Sequence, residues 1–301
     1  MMHETSGRWR LGLALSLLTV FLWGILPIAL KVTLQALDVY TVIWFRFLVS
    51  FGLLAIYLGV RGQLPTLAQL RDTSWHLLAI ATIGLAINYF LFLQGLSLTS
   101  PANAEVIIQL SNLLLGLGGL IVFGEKYQLH QWIGVGVMIF GYILFFLEQL
   151  TNLITAEKEY LLGSGLIALG ALAWAIYALA QKQLLQSLSS SHIMLIIYGG
   201  CAYLFTPFAK QTTILPLGYV HLATLIFCAL NTLIAYGAFA ESLAHWEASR
   251  VSAVLAIAPI VTLIAVEVIS VIAPDFIPAE QITLIAIVGA VLVVVGAVRM
   301  S

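Results

Sequence analysis

The chain has 301 residues, of which 62% are hydrophobic and only 8% are charged, and its formal net charge is −1 at pH 7. A water-soluble protein of this length could not bury so large an apolar fraction, so the composition predicts an integral membrane protein. The near-neutral charge and the lack of a recognisable binding motif argue against a nucleic-acid-binding protein.

Apolar runs of about 20 residues, the length that crosses the hydrocarbon core of a bilayer, recur along the whole chain. They predict an all-α membrane protein with ten transmembrane helices, at residues 11–31, 40–60, 74–97, 101–123, 130–149, 161–182, 192–209, 219–243, 248–273 and 280–298. The first run is as long as a full span and lacks a clear cleavage pattern. We therefore expect it to stay attached as the first helix and not to act as a signal peptide.

Basic residues are unevenly divided between the two sets of loops. With the N-terminus inside, eight lie inside (Arg8, Arg10, Arg61, Arg71, Lys126, Lys182, Arg250 and Arg299) and three outside (Lys31, Lys158 and Lys210). The positive-inside rule therefore predicts that both termini are cytoplasmic.

The second half of the chain repeats the first. Residues 12–37 laid on residues 163–188 give 10 identities in 26 positions. The informative matches, there and further along, are Trp23/Trp174, Lys31/Lys182, Gln35/Gln186, Tyr89/Tyr236, Phe92/Phe239, Glu125/Glu280, Gly134/Gly289 and Gly141/Gly296. Each half has five predicted spans, an odd number, so the second half enters the membrane from the opposite side. The sequence thus predicts two inverted five-helix repeats, residues 1–150 and 160–301, around a central cavity, an arrangement typical of secondary transporters.

The first two spans each contain one residue that is unusual in a membrane helix. Span one contains Pro27, which we expect to kink or break the helix as a hinge, and Ala178 occupies the aligned position. Span two carries Arg46, and charges inside a membrane are functional candidates by default. Arg46 either pairs with Glu267 of span nine, or serves as a gate or as a contact for a substrate carboxylate or phosphate.

One face of span four collects Glu105, Gln109 and Asn112, followed by Gly116 and Gly119. Such a stripe cannot face lipid. Two interpretations stay open: the stripe lines a cavity, or its amides join neighbouring helices while its glycines permit close packing. The position of Glu105 near the start of the span favours helix capping. Glu105 and Glu267 are also the candidates for proton coupling.

The remaining candidate residues lie in spans one, three, six, eight and nine. Asn88 and Asn231 lie near midspan, where an amide favours a lined cavity. Five aromatic residues could form a cage for an apolar or cationic group, or simply pack together: Trp23, Tyr89, Trp174, Tyr177 and Tyr236. Pro259 in span nine is a second hinge candidate. The predicted substrate contacts are thus Trp23, Asn88, Tyr89, Gln109, Asn112, Trp174, Tyr177, Asn231 and Tyr236.

The sequence shows no metal-ligand cluster, nucleotide-binding loop or catalytic triad, so no cofactor, no metal and no ATPase partner are expected. The expected partners are a small-molecule substrate and the lipid bilayer. The leading hypothesis is a secondary transporter. The alternatives are an intramembrane enzyme acting on lipid-like substrates, for which the carboxylates are too scattered, and a non-transporting sensor subunit.

Several motifs point to a known family. They are Phe-Leu-Trp-Gly with Pro27, Ser100-Pro101-Ala102-Asn103-Ala104, Phe123-Gly124-Glu125, Gln131-Trp132-Ile133-Gly134, and the closing Gly289 to Gly296. Together they resemble the EamA family of the drug/metabolite transporter superfamily over nearly the whole chain. The resemblance implies export of small metabolites, often amino acids, by a permease of the bacterial inner membrane. Two features depart from the family pattern: Asn112 stands where members commonly have proline, and an insertion at 273–278 precedes span ten.

Overall fold

The computed structural model describes residues 6–66, 69–70, 73–123, 127–153, 158–277 and 283–300, and all the regular secondary structure in these ranges is helical. The α-helices, in chain order, are α1 (Trp9–Thr33), α2 (Val39–Val60), α3 (Trp75–Leu98), α4 (Pro101–Ile108), α5 (Leu110–Phe123), α6 (Leu129–Leu153), α7 (Lys158–Leu184), α8 (Ser190–Phe205), α9 (Tyr219–His245), α10 (Ala248–Leu255), α11 (Ala258–Ile272) and α12 (Leu284–Met300). Short 3₁₀ turns at Thr206–Phe208 and Gln211–Thr213 follow α8. The predicted repeat partners Glu125 and Glu280, and Pro278 of the insertion, lie outside the described residues.

Seven helical segments are long and apolar enough to cross a membrane, namely Trp9–Thr33, Val39–Val60, Trp75–Leu98, Pro101–Val122, Lys158–Leu184, Ser190–Phe208 and Tyr219–His245. Shorter apolar helices at Leu129–Phe145, Ala258–Ile272 and Ile287–Gly296 fall within the fifth, ninth and tenth predicted spans. The all-α class is confirmed for the described residues, and the helix lengths fit a membrane protein. The count of ten spans stays a prediction.

Polar residues decide where several helices begin. Asp38 accepts a hydrogen bond from the Thr41 amide at 3.1 Å at the start of α2. Ser100 does the same for α4 through the Asn103 amide at 3.2 Å, so Glu105 is not the cap of that helix. Such caps satisfy amides that no helical carbonyl can reach, and unpaired amides are costly at the edge of a membrane.

Neither the fourth nor the ninth predicted span is one uninterrupted α-helix, which corrects the expectation from the sequence. Gln109 separates α4 from α5, and residues 256–257 separate α10 from α11. At these points the Gln109 amide bonds to the Val106 carbonyl at 3.2 Å and the Ile257 amide to the Val254 carbonyl at 3.1 Å, each three residues back. Pro259 explains the second interruption because proline cannot donate a helical hydrogen bond. Short 3₁₀ segments inside helices often mark functional hinges.

Helix α1, by contrast, runs without interruption through Pro27, so the predicted break is not present. Two carbonyls in the preceding turn accept hydrogen bonds from other helices. Asn231 Nδ2 donates to the Leu22 carbonyl at 2.6 Å, and Thr262 Oγ1 donates to the Gly24 carbonyl at 2.6 Å. These bonds join α1 to α9 and α11, and they stabilise the helix where proline removes a bond of its own.

Glycines allow the closest helix contacts. Helix α3 packs on α7, where a Cβ atom added at Gly95 would lie 2.6 Å from the Gly163 carbonyl oxygen. Helix α6 packs on α12, where a Cβ atom added at Gly141 would lie 2.7 Å from the Gly289 carbonyl oxygen. Close backbone approach of this kind is the usual way in which membrane helices associate. None of the described residues of α6 and α12 lines the cavity of the bundle, which lies among other helices.

Candidate functional site

A cavity lies inside the helical bundle and is the candidate functional site. Its lining residues are Trp23, Leu26, Pro27, Leu30, Arg46, Asn88, Tyr89, Phe92, Leu93, Glu105, Ile108, Gln109, Ser111, Asn112, Trp174, Tyr236 and Leu255. A mostly apolar wall with a few polar groups is typical of a small-molecule site.

Two sets of contacts mark the opposite ends of the bundle. At the end that we call the N-terminal end, the Ser6 amide donates to the Ala244 carbonyl at 3.1 Å. At the end that we call the Lys31 end, Lys31 Nζ donates to the carbonyls of Leu96 at 2.9 Å and Thr99 at 2.6 Å. Lys31 therefore binds carbonyls at the C-terminus of α3, where a cation complements the helix dipole.

The cavity lies in the half of the bundle nearer the Lys31 end. Leu30 of its lining directly precedes Lys31, and Leu93 lies one turn before the Leu96 carbonyl that Lys31 binds. Trp174 and Tyr236 reach the cavity from α7 and α9, near the middle of these helices. They form its limit toward the N-terminal end.

Arg46 is the buried cation of this cavity, with only 2% of its surface exposed. Its Nε donates to Thr232 Oγ1 at 2.9 Å, and its guanidinium carbon lies 4.5 Å from the centroid of the Tyr89 ring. Within the described residues no carboxylate forms an ion pair with Arg46, and its two Nη nitrogens have no hydrogen-bond partner. A buried guanidinium without a counter-ion is costly, so the arrangement favours an anionic group in the cavity.

Glu105, Gln109 and Asn112 form a chain of hydrogen bonds along the cavity wall. Asn112 Nδ2 donates to Gln109 Oε1, and Gln109 Nε2 donates to Glu105 Oε1 at 3.0 Å. The donors all point toward the carboxyl group, which is 4% exposed. Among the described residues Glu105 has no ion-pair partner. The polar stripe of span four therefore lines the cavity, and its amides bond to one another across the interruption at Gln109.

Asn88 has two roles in the structure. It lines the cavity, and its Nδ2 donates to the Gly170 carbonyl at 3.0 Å, which joins α3 to α7. The bond fixes the orientation of the amide and leaves its Oδ1 and the second Nδ2 hydrogen for another partner.

Aromatic rings form the limit of the cavity toward the N-terminal end, and we call Trp23, Trp174, Tyr236 and Phe239 the aromatic cluster. The Trp23 ring centroid lies 4.9 Å from that of Tyr236 and 5.9 Å from that of Trp174. The Trp174 and Phe239 centroids are 5.1 Å apart. Trp23 Nε1 is buried and has no acceptor within the described part of the chain, which leaves an N–H donor for another partner.

Most of the predicted site residues meet at this cavity. The residues that line it are Trp23, Pro27, Arg46, Asn88, Tyr89, Glu105, Gln109, Asn112, Trp174 and Tyr236. Four others, Tyr177, Asn231, Glu267 and Pro259, do not belong to the lining.

Tyr177 and Asn231 are buried in helix contacts instead. Tyr177 lies one turn beyond Trp174 toward the N-terminal end, is fully buried, and bonds through its hydroxyl to Met194 Sδ at 3.5 Å. Asn231 is 1% exposed and bonds to the Leu22 carbonyl of α1. Helical periodicity could not separate these cases from cavity residues, because both kinds of position avoid lipid.

Glu267 and Pro259 lie on α11 and do not line the cavity. Glu267 is exposed, so the predicted pairing with Arg46 is not formed. Pro259 is buried at the start of α11, where proline is well tolerated because the first helical amide has no partner to lose.

Seven lining residues were not predicted from the sequence: the apolar Leu26, Leu30, Phe92, Leu93, Ile108 and Leu255, and the polar Ser111. One signal was available for α1. Leu26 and Leu30 follow Trp23 at helical spacings of three and seven residues, so they share its face. In a helix that is apolar all round, however, that spacing alone does not distinguish the cavity from the lipid.

Clusters of histidine, cysteine and acidic residues that could hold a metal ion are absent from the described residues. An all-α bundle of membrane-length helices around a buried, partly polar cavity is the architecture of a membrane transport protein. The sequence matches the EamA-like transporter family over residues 10–147 and 161–301. The chain belongs to this family, and it is therefore a membrane transporter and not an enzyme.

Two relatives are similar over almost their whole length. An uncharacterized transporter of Haemophilus influenzae is 36% identical over 288 residues, covering 96% of this chain and 94% of the relative. The uncharacterized inner membrane transporter YhbE of Escherichia coli is 38% identical over 289 residues, covering 95% of this chain and 90% of the relative.

More distant comparisons agree in fold and class. A protein of Escherichia coli named as a probable amino-acid metabolite efflux pump is 24% identical over 300 residues, covering 94% of this chain and 92% of that protein. A solved structure, titled only as the crystal structure of a protein, superposes with a TM-score of 0.70 at 18% identity and covers 96% of both chains. At that identity the likeness shows the fold alone.

Proposed function

We propose that this protein is a secondary transporter that exports a small zwitterionic metabolite, with amino acids as the first candidates, across the bacterial inner membrane by alternating access. The observation that carries the proposal is the pair of buried ionisable residues, one basic and one acidic, in one cavity. Arg46 and Glu105 both line it, and within the described residues neither has an ion-pair partner. A ligand that carries both charges would compensate both groups at once.

The aromatic and amide residues of the cavity lining can bind the other parts of a zwitterionic metabolite. Trp23, Trp174 and Tyr236 offer ring faces to an apolar side chain, and the free Trp23 Nε1–H offers one donor. Asn88, Gln109 and Asn112 add amide groups beside the two charges. The names of related proteins point the same way, since YhbE is named an inner membrane transporter and a more distant relative a probable amino-acid metabolite efflux pump.

Alternating access rests on the proposed inverted repeat of residues 1–150 and 160–301. The helix packing supports this repeat. Helix α1 packs on α9, and the related helix α7 packs on α3. Likewise, α1 packs on α11, and α7 packs on α5. Helices α4 and α10 each have eight residues, and each is followed by an interruption. The family matches two separate stretches that correspond to the two halves. Exchange of the two halves' conformations would move the cavity from one end of the bundle to the other.

The proposed orientation keeps both termini in the cytoplasm, as the distribution of basic loop residues indicates. The N-terminal end then faces the cytoplasm and the Lys31 end faces outward. A cavity nearer the Lys31 end belongs to the outward-facing state in this scheme.

The direct test is uptake into everted membrane vesicles that contain the protein, since an exporter moves its substrate into such vesicles. We would supply zwitterionic amino acids, dicarboxylates and cationic amines separately, each with and without an imposed proton gradient. We expect the zwitterions to enter and the other two classes to be excluded. Accumulation that depends on the gradient would establish coupling, and entry without accumulation would establish a facilitator.

The matched variants decide whether the cavity is the binding site. Arg46→Gln should weaken uptake of zwitterions, whereas Glu267→Gln, which changes an exposed acid outside the cavity, should leave it unchanged. Entry of dicarboxylates alone would contradict the zwitterion proposal while leaving a transporter. Absence of uptake for every compound would contradict the export function.

A further inference from the structure

Gln181 is a buried polar residue that the cavity does not explain. It lies on α7, has no exposed surface, and neither its Nε2 nor its Oε1 has a hydrogen-bond partner within the described part of the chain. A buried primary amide without a hydrogen-bond partner is rare in folded proteins and needs a physical explanation. In a protein with two conformations, one explanation is that the partner is present only in the other conformation.

The position of Gln181 in α7 corresponds to that of Leu30 in α1. Trp23 and Trp174 lie 151 positions apart, and so do the helix-capping residues Asp38 and Ser189 that follow α1 and α7. The same separation relates Leu30 to Gln181. Leu30 lines the cavity one residue before Lys31, so Gln181 stands where a cavity residue stands in the other half.

Gln181 lies on the far side of the aromatic cluster from the cavity. Tyr177, one turn before it on α7, is already behind Trp174 and contacts the Tyr236 ring at a centroid distance of 6.3 Å. Helix α7 then ends at Leu184, shortly before Ser190, which bonds to Glu241 near the N-terminal end. Gln181 is therefore placed between the aromatic cluster and the N-terminal end.

We propose that Gln181 is a substrate-contacting residue in the conformation in which the cavity faces the N-terminal end. This inference rests on the proposed alternating access. The amide offers both a donor and an acceptor, so it can bond to the carboxylate or the ammonium group of a zwitterion as the substrate enters or leaves. In the present conformation the aromatic cluster separates it from the cavity, which explains why its amide has no partner.

The two conformations would then present different chemistry. The positions related to Arg46, Asn88 and Glu105 are Ile197, Ala235 and Ser252, so the second half has neither the guanidinium nor the carboxyl group. Gln181 gives the N-terminal side an uncharged polar contact instead.

The test measures access to single cysteines in protein lacking the two buried native ones, through Cys201→Ala and Cys228→Ala. Leu30→Cys and Gln181→Cys would be exposed to a membrane-impermeant maleimide in right-side-out and in everted vesicles. We expect Gln181→Cys to react only from the side of the N-terminal end and Leu30→Cys only from the opposite side. Ile167→Cys, at a buried site that does not line the cavity and is packed on Gly95, should not react.

Labelling of Gln181→Cys from neither side, or from the same side as Leu30→Cys, would overturn the proposal. This readout needs no substrate, so it is separate from the failure of the export function, which would appear as absent uptake by the unaltered protein.

A second variant tests substrate contact. Gln181→Leu, which copies the residue at the related position, should raise the melting temperature because it removes an unpaired buried amide, yet slow export about fivefold or more. A raised melting temperature with unchanged export would show that Gln181 is only a packing residue.

Discussion

Arg46 Nε and Thr232 Oγ1 are joined by a hydrogen bond of 2.9 Å that connects α2 to α9 inside the cavity wall. Thr232 in turn donates to the Cys228 carbonyl at 2.9 Å, so its oxygen is held in place. The bond uses the Nε–H of the guanidinium and leaves the two Nη groups for a ligand. Arg46 is thereby oriented as an anion-binding fork.

Replacing Arg46 should weaken substrate binding more than it weakens folding. We expect Arg46→Gln to raise the KM for zwitterion uptake by about 10- to 100-fold, because a charge-assisted hydrogen bond is lost. Arg46→Lys should have an intermediate effect, since a lysine keeps the charge but not the planar fork. Uptake kinetics in everted vesicles measure both. Equal KM values for Arg46→Gln and the unaltered protein would reduce Arg46 to a structural role.

Replacing Asn112 should abolish transport and leave the protein folded. Asn112→Leu removes the first donor of the chain that ends on Glu105, and it adds an apolar branch to the cavity wall. The control is Ser252→Ala, which removes only a 3.3 Å bond from the Ser252 hydroxyl to the Asn112 carbonyl. Uptake and the amount of folded protein in the membrane would be measured for both. Normal uptake by Asn112→Leu would contradict a cavity role for the amide chain.

Glu105 is the acidic residue among the described lining residues, so it is the proposed site of proton coupling. We expect Glu105→Gln to lose accumulation driven by a proton gradient and to exchange substrate across the membrane only at a raised KM, because the ammonium group of the substrate loses its acidic partner. An amide keeps the shape and the bond to Gln109 but cannot exchange a proton. The exposed Glu267 provides the matched acid, and Glu267→Gln should accumulate substrate normally. Intact gradient-driven accumulation in Glu105→Gln would exclude Glu105 as the carrier.

Two glycines of α6 should respond in opposite ways to replacement by alanine, one losing and the other gaining stability. A Cβ atom at Gly141 would lie 2.7 Å from the Gly289 carbonyl oxygen, whereas one at Gly136 meets nothing within 4 Å. Gly141→Ala should therefore lower the free energy of unfolding by about 1–3 kcal/mol through overpacking. Gly136→Ala should raise it by up to about 1 kcal/mol, because alanine favours the helix. Thermal unfolding of the purified protein in detergent would compare them, and equal melting temperatures would show that α6 and α12 separate readily.

Contacts at the N-terminal end connect three segments of the chain. Glu241 of α9 accepts a hydrogen bond from Ser190 of α8, and its Oε1 lies 3.2 Å from His245 Nε2. His245 Nδ1 is bonded to Ser6 Oγ at 2.7 Å. We expect Glu241→Ala to free this end and to increase maleimide labelling of Gln181→Cys severalfold.

The control for this prediction is Glu247→Ala, which removes a solvent-exposed pair with Arg250 at 2.8 Å. Exposed pairs contribute little, so labelling should not change. The same labelling rate in both variants would mean that Glu241 does not hold the N-terminal end closed.

The sequence by itself determined the helical class and the apolar lengths of the helices. These features depend on local composition, because a chain in hydrocarbon must satisfy its backbone hydrogen bonds within each helix. The sequence also predicted most of the polar residues that line the cavity, including Arg46 and the stripe from Glu105 to Asn112, because polar groups in a membrane helix must turn away from lipid.

Only the tertiary structure decided which of the helix faces that avoid lipid line the cavity and which pack against a neighbouring helix. Tyr177 and Asn231 satisfied the same periodicity as Tyr89 and Asn88, yet they pack between helices. The interruption at Gln109 is not marked by a proline in the sequence. The unpaired amide of Gln181 can be recognised only when the residues around it are known. The physical reason is that burial against protein and burial against a cavity leave the same periodic pattern in an apolar helix, and the rotation of each helix about its axis is set by its packing.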